Sequence, residues 1–210
     1  GGDKIYLPVD RLNLLQKYSS GESGLVTLDK LGSQNWNERK QKLKKKILEI
    51  AEDLLKVHAQ RKLAKSHRYT PASDEYFKFE AAFPYTETDD QIKAIQDVNA
   101  DLESVNAMDR LICGDVGFGK TEIAMRAAFR AVQEGRQVLV LVPTTVLCFQ
   151  HFRTFHERMH QFGVSIAQVN RFIMSKETKE NLDRLEKGKL DILIGTHRIL
   201  SSDIKPKNLG

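Results

Sequence analysis

The sequence predicts an α/β fold: a parallel sheet, read as incomplete, with flanking helices, preceded by a long connector helix and a truncated small β-domain. Three observations carry this. Residues 111–133 read as a short apolar run, a glycine-rich turn and a helix. Beyond them, apolar runs at 138–142, 164–169 and 190–194 alternate with helical patterns at 144–162 and 175–187. Alternation of this kind implies right-handed crossovers between parallel strands. Residues 33–69 contain neither proline nor glycine and repeat apolar side chains at helical intervals.

The glycine-rich turn is Gly114-Asp115-Val116-Gly117-Phe118-Gly119-Lys120-Thr121. Leu111, Ile112 and Cys113 before it read as a buried strand, and residues 122–133 after it as a helix packed on a sheet. Strand, glycine loop and helix together hold phosphates with main-chain N–H groups and the positive end of a helix dipole. Glycines let the backbone approach the phosphates with no Cβ in the way. Lys120 is placed to reach the β- and γ-phosphates, and the Thr121 hydroxyl to ligate Mg²⁺. A chance glycine-rich turn would not carry both flanks. The expected ligand is a nucleoside triphosphate, ATP with Mg²⁺.

The chain of 210 residues supports one large domain, or one and a fraction. A hydrophobic content of 40% provides for a core, and the mean hydropathy of −0.43 is ordinary for a soluble protein. No apolar stretch approaches the roughly 18 residues of a membrane span, and the start, Gly1-Gly2-Asp3-Lys4, lacks signal-peptide character. Cys113 and Cys148 lie far apart in apolar segments and read as core residues in a reducing cytoplasm rather than as a disulfide. A net charge of +5 fits an anionic partner such as nucleic acid.

The chain is read as dividing near residue 80. Residues 4–10 and 12–18 read as short strands, followed by turn residues and a brief strand at 25–27. These are too few to bury a core of their own. Asn35, with Glu38 three residues on, reads as the cap of the long helix, in which Trp36, Leu43, Ile47, Ile50, Leu54 and Val57 recur at helical spacing. Its cationic run at 39–46 is a solvated face or a phosphate-facing patch. Basic residues at a helix start oppose its dipole, so packing is expected to hold this helix. A short helix is predicted at 73–82, then a helix at 89–103 with Thr88 as N-cap.

In open parallel sheets, ligands bind beyond the carboxyl ends of the strands. Pro143, Thr144 and Thr145 follow the first strand run, and Gly195, Thr196, His197 and Arg198 follow the last. Hydroxyls, amides and a cation there suit nucleic-acid phosphates rather than base edges. Thr144 and Thr196, each taken alone, read as helix caps.

With Phe83-Pro84-Tyr85 and Thr88-x-x-Gln91, these elements resemble the first, RecA-like motor domain of superfamily-two helicases and translocases. Residues 108–122 with 124–129, Leu141-Val142-Pro143-Thr144-Thr145 and Asp191-Ile192-Leu193-Ile194-Gly195-Thr196-His197 are similar to the bacterial transcription-repair coupling factor family. The resemblance covers essentially the whole chain. RecG-type branch-migration helicases share the motor motifs, but their loop usually lacks the Phe118 equivalent, and they have no such N-terminal module.

The resemblance implies an ATP-dependent translocase on double-stranded DNA that displaces stalled RNA polymerase and couples transcription to nucleotide excision repair. Its implied partners are duplex DNA, RNA polymerase and nucleotide excision repair proteins, with no membrane. Residues 1–32 would be the end of an RNA-polymerase-interacting domain, 33–80 a relay helix and connector, and 81–210 the front of the first motor domain. Gln91 would contact adenine, with Phe83 or Tyr85 near the base; taken singly, those aromatics read as core. Thr144, Thr145, Gln150, Thr196, His197 and Arg198 would line the DNA path, and Arg171-Phe172 matches a motor-side motif.

One departure bears on activity. Hydrolysis in these motors needs a carboxylate for Mg²⁺ and a neighbouring Glu to activate water, on a strand after Gly195-Thr196-His197. The chain reaches Gly210 without them, Glu52-Asp53 lies inside the connector helix, and no second motor lobe supplies an arginine finger. The 210 residues are therefore expected to bind ATP weakly and to be inactive alone. A polymerase-binding interaction module is the alternative from another class. His156-Glu157-Arg158-Met159-His160 also fits the zinc-protease helix pattern; it falls in a helix that the sheet architecture already explains and lacks a third ligand, so no zinc is expected.

Overall fold

The computed structural model describes residues 4, 6–15, 34–170, 172–173 and 175–210. The expected strand at 25–27, residues 16–18 of another and the side chain of Trp36 lie outside them. The chain separates into two units, residues 1–60 and 61–210.

In the first unit, Val9–Leu14 forms a 3-10 helix. The strand expected at 4–10 is therefore corrected: Pro8 fixes its own φ, and the chain turns tightly after it. Helix α1 runs Gln34–Leu63, so Asn35 lies inside the helix and not at its cap. Every described side chain on it from Asn37 onward is exposed, which overturns the expectation of a packed helix. Thirty residues rich in Lys, Leu, Gln, Glu and Ala are long enough to be helical by propensity. Arg61 and Lys62 in the last turn favour the dipole that the start opposes.

The second unit begins earlier than the boundary near residue 80. Helix α2 (Asp74–Ala81) is capped by Ser73, whose hydroxyl accepts from the Tyr76 N–H. Its Phe79 stacks on Phe129 of helix α4 (Lys120–Gln133) at 4.2 Å between ring centroids. Helix α3 (Asp89–Leu102) packs Ile95, Val98 and Leu102 with Ile123 and Ala131 of α4. Thr88 caps α3 as expected and forms a reciprocal capping box with Gln91.

Strands β1 (Val138–Leu141), β2 (Ile166–Val169) and β3 (Ile192–Gly195) form a parallel sheet in the order β1-β3-β2. Register pairs Val138 and Ile166 with Ile192. The central strand β3 is buried along its whole length. Alternation splits its side chains between two layers. Ile192 and Ile194 face a core with Met125, Phe129, Phe155 and Met159, drawn from α4 and helix α5 (Thr145–Met159). Leu193 packs with Ala167, Val169, Leu185 and Ile199 on the other side, under helix α6 (Ser175–Glu186).

Two expectations fail beside this sheet. The run 138–142 has the continuous apolar character of a strand buried on both faces; in the structure Val142 is buried, but Val138, Leu139 and Val140 are only half-buried and Leu141 is 55% exposed. Residues 111–113 form no strand: Leu111 is 85% exposed and Cys113 is exposed, while Ile112 packs beside α3 and α4. Ile112 lines an apolar cleft of about 510 Å³ together with all four residues of β1, and residues 111–113 pair with no strand among the described residues. Cys148, by contrast, is a buried free thiol as expected.

The segment entering the unit is fastened to the end of α4 by Glu134. Its carboxylate accepts from the Thr70 N–H and hydroxyl at 2.5 and 2.8 Å and lies 2.6 Å from His67 Nε2. Arg136 donates to His67 Nδ1, which leaves the proton on Nε2 to reach Glu134. Burial works to raise the Glu134 carboxyl, but the hydrogen bonds from His67 and Thr70 outweigh it and hold it below the ordinary range. A depressed carboxyl contributes stability above its unfolded pKa and loses it as pH falls through the folded value. Glu134→Gln is expected to cost about 1–2 kcal/mol at neutral pH, and to flatten the loss of stability seen in denaturant titrations as pH falls below the ordinary glutamate range.

Candidate nucleotide loop and nucleic-acid rim

The glycine loop ends at the head of α4, the geometry that aims main-chain N–H groups outward. Gly117 and Gly119 sit at φ of +87° and +68°, a region that residues with a Cβ disfavour. A Cβ on Gly119 would also lie 2.5 Å from Gln91 Nε2. Lys120 Nζ donates to the carbonyl oxygens of Gly114 and Asp115 at 2.6 and 2.5 Å. The ammonium is thus held over the loop and needs only to exchange carbonyl partners for phosphate oxygens. Asp115, Val116 and Phe118 are exposed around it, and Thr121 opens the helix beside Lys120.

Gln91 is brought to this loop. Its Nε2 donates to the Phe118 carbonyl at 3.1 Å, while its Oε1 accepts from the Thr88 N–H at 2.9 Å. One side chain therefore joins the start of α3 to the phosphate loop. Phe83 and Tyr85 meet edge-to-face at 5.5 Å. They line a separate cavity of about 590 Å³ with Glu80, Glu87 and Arg126, and none of residues 114–121 lines it.

A second cleft, about 730 Å³, opens at the carboxyl ends of all three strands. It collects Thr144, Thr145, Thr196, His197 and Arg198 as the strand-end rule requires. Gln150 is not brought there; it lies exposed on α5, where its carbonyl accepts from Thr154. Thr144 also serves as the α5 cap, its hydroxyl accepting from the Leu147 N–H at 3.2 Å. Thr196 is buried and makes no such cap bond. Arg171 lies outside the described residues; Phe172 is exposed.

Sequence reading missed Asn170, Lys179 and Asp203, which line the same cleft. Asn170 directly follows β2, so the strand-end rule would have found it. Asp203 belongs to no motif; the chain after the 3-10 turn at His197–Leu200 returns it to Arg198, five residues earlier. That pair is bidentate, at 2.6 and 2.5 Å. The Arg198 hydrogen bond holds the Asp203 carboxyl below its usual range, and the same contact raises Arg198.

On the α5 surface, the His156 and His160 rings stack at 5.6 Å, and His160 Nδ1 lies 3.2 Å from the His156 carbonyl. No group of three or more His, Cys, Asp or Glu able to hold a metal occurs among the described residues. No helix among them is long and apolar enough to cross a membrane.

A glycine loop at the head of a helix, set against a parallel sheet, defines a phosphate-loop α/β protein. Residues 88–209 match the DEAD/DEAH box helicase family, and the chain belongs to it. Across 210 residues it is 44% identical to the transcription-repair-coupling factor of Bacillus subtilis (strain 168). Identity to the Myxococcus xanthus protein of the same name is 49% over 211 residues. Both alignments take in 100% of this chain but only 18% of the relative. The solved structure of RecG bound to a three-way DNA junction is similar at a TM-score of 0.69 and 30% identity, over 74% of this chain and 21% of that one.

The rim carries a checkable consequence. Asp203→Asn leaves the Arg198 guanidinium without its carboxylate, so binding of a fluorescent oligonucleotide duplex, used as a polyanion, is expected to tighten severalfold. The slope of log affinity against log salt should steepen by about one.

Proposed function

We propose that this chain is the nucleotide-binding front of a motor lobe in an ATP-driven double-stranded DNA translocase of the transcription-repair-coupling kind. The carrying observation is the pairing of a lysine-bearing phosphate loop with a hydroxyl- and cation-lined rim at the strand ends of one sheet. Identity of 44–49% to transcription-repair-coupling factors over the whole chain supports the reading. In it, Gly114, Asp115, Val116, Gly117, Phe118 and Gly119 cradle the phosphates with main-chain amides. Lys120 neutralises the β- and γ-phosphates, Thr121 ligates Mg²⁺, and Gln91 reads the adenine edge with its amide. Thr144, Thr145, Thr196, His197 and Arg198 grip DNA phosphates, and Gln150 extends that contact along α5.

For the longer protein, the reading assigns residues 1–32 to an RNA-polymerase-interacting domain, 33–80 to a relay and 81–210 to the motor. RNA polymerase and nucleotide excision repair proteins are the partners it implies, in the cytoplasm. A branch-migration motor is the second reading, favoured by the likeness to RecG on a three-way DNA junction. The N-terminal residues as a polymerase-binding module form a third, and pull-down with RNA polymerase separates it from duplex binding.

Among the described residues, the rim cleft carries one carboxylate, Asp203, and it is committed to Arg198. No acid of that cleft is free to activate water, so the 210-residue chain should bind nucleotide and turn it over at background. Calorimetric titration with ATP at saturating Mg²⁺ should show uptake, weakened at least tenfold (about 1.4 kcal/mol) in Lys120→Ala. Steady-state hydrolysis abolished by that substitution would contradict the assignment of inactivity; equal uptake by both would contradict the site.

A further inference from the structure

Helix α4 begins at the phosphate loop, and one turn and a half further on its Arg126 is almost completely buried, at 2% exposure. The guanidinium is shared among three carboxylates. Nε donates to Glu122 at 2.9 Å and NH1 to Glu80 of α2 at 2.7 Å, while NH2 donates to Glu87. Its carbon lies 5.4 Å from the centre of the Phe83 ring. Arg158 of α5 completes the cluster, donating to Glu122 at 3.0 Å and to the Phe79 carbonyl at 2.7 Å. Two cations thus meet three anions in a partly dry space, where removing one partner costs more than the pair contributes.

The three carboxylates lead to different places. Glu122 is on α4 itself, and Glu80 ends on α2. Glu87 is the carboxylate that leads to the Gln91 amide: it immediately precedes Thr88, the cap of α3, and the cap is locked to Gln91 through both bonds of the capping box. Gln91 in turn touches the Phe118 carbonyl in the loop. The route Arg126–Glu87–Thr88–Gln91–Phe118 is a closed ring of contacts that starts and ends on the loop and its helix. It sets the separation between the amide at the start of α3 and the amides at the start of α4.

We propose that Arg126, acting through Glu87, is a positioning residue for nucleotide specificity, holding the Gln91 amide at the distance from the phosphate loop that lets it read an adenine edge. This rests on the reading of residues 114–121 as a triphosphate site. An amide offers one donor and one acceptor side by side, which match adenine N7 and N6–H, whereas the corresponding N7 and O6 edge of guanine presents two acceptors. A shift of a fraction of an ångström in that amide weakens the match and leaves the phosphate contacts as they are. Burial alone works against the Arg126 charge, but Glu87 and Glu122 outweigh it, and Glu87 is held below the ordinary carboxylate range by the Arg126 hydrogen bond.

The test compares two isosteric substitutions on one guanidinium in the full 210-residue chain: Glu87→Gln, on the route to Gln91, and Glu80→Gln, off it. Affinities for Mg·ATP, Mg·GTP and Mg·tripolyphosphate are measured by competition against a fluorescent triphosphate, with a thermal melt on each variant. The unaltered chain should prefer ATP to GTP. Glu87→Gln should lower ATP affinity about tenfold and erase most of that preference, with tripolyphosphate unchanged within about twofold. Glu80→Gln should leave the ATP:GTP ratio as it was, whatever it does to the melt. Equal effects of the two substitutions on the ratio would overturn the proposal, as would an equal loss of ATP and tripolyphosphate in Glu87→Gln. Absence of any ATP:GTP preference in the unaltered chain overturns it while leaving the triphosphate site standing. Failure of the unaltered chain to take up any of the three triphosphates sinks that site, and this inference with it.

Discussion

Burial of β3 on both faces is the constraint from which the second unit follows. A strand with no exposed side must be paired along both edges and covered by helices above and below. Parallel pairing with β1 and β2 meets the first need, and α4, α5 and α6 with the 197–200 turn meet the second. Parallel strands put all their carboxyl ends on one side. The residues after β1, β2 and β3 therefore converge without any sequence contact between them, and the 730 Å³ cleft is the product. Its hydroxyls and cation are placed by topology, and their chemistry is then free to serve a ligand.

A second layer of order comes from buried charge on α4. Arg126 and Arg130 are both nearly inaccessible, yet every direction from them meets an acceptor: Glu80, Glu87 and Glu122 for one, Asn99, Glu103 and the Thr70 carbonyl for the other. Apolar packing would fill the same volume as well, but would not fix α2, α3 and the entering segment at one angle to the phosphate-loop helix. Directional hydrogen bonds do, because each carboxylate must meet a planar guanidinium edge-on. The loop thus sits on a helix whose surroundings are set by geometry and not by volume alone.

The sequence made some of this legible and hid the rest for physical reasons. Helices α2 to α6 and the three strands were readable because each pairs a hydrophobic period with a local stop or cap, as Thr88 does for α3 and Thr144 for α5. The phosphate loop was readable because its chemistry is contiguous. Residues 111–113 misled, since an apolar run marks a strand only where a neighbouring strand supplies hydrogen bonds. Residues 4–10 misled in the same direction, their strand-like composition yielding to Pro8 and a tight turn. Gln150 was assigned to the DNA path by resemblance and lies outside the cleft. The Arg126 cluster was invisible because two of its partners lie 46 and 39 residues away, and Asp203, five residues after Arg198, because it belongs to no motif or helical spacing.

Nucleotide binding by this chain requires main-chain amides at the head of α4 to receive a triphosphate. Amide hydrogen exchange reads those groups one by one, with and without saturating Mg·ATP. Exchange should slow most at residues 117–121, with a smaller effect at 88–91 through the Gln91–Phe118 contact. Unchanged exchange across 114–121 at a concentration where ATP is saturating, or protection confined to the strand-end rim, would contradict triphosphate binding at these amides.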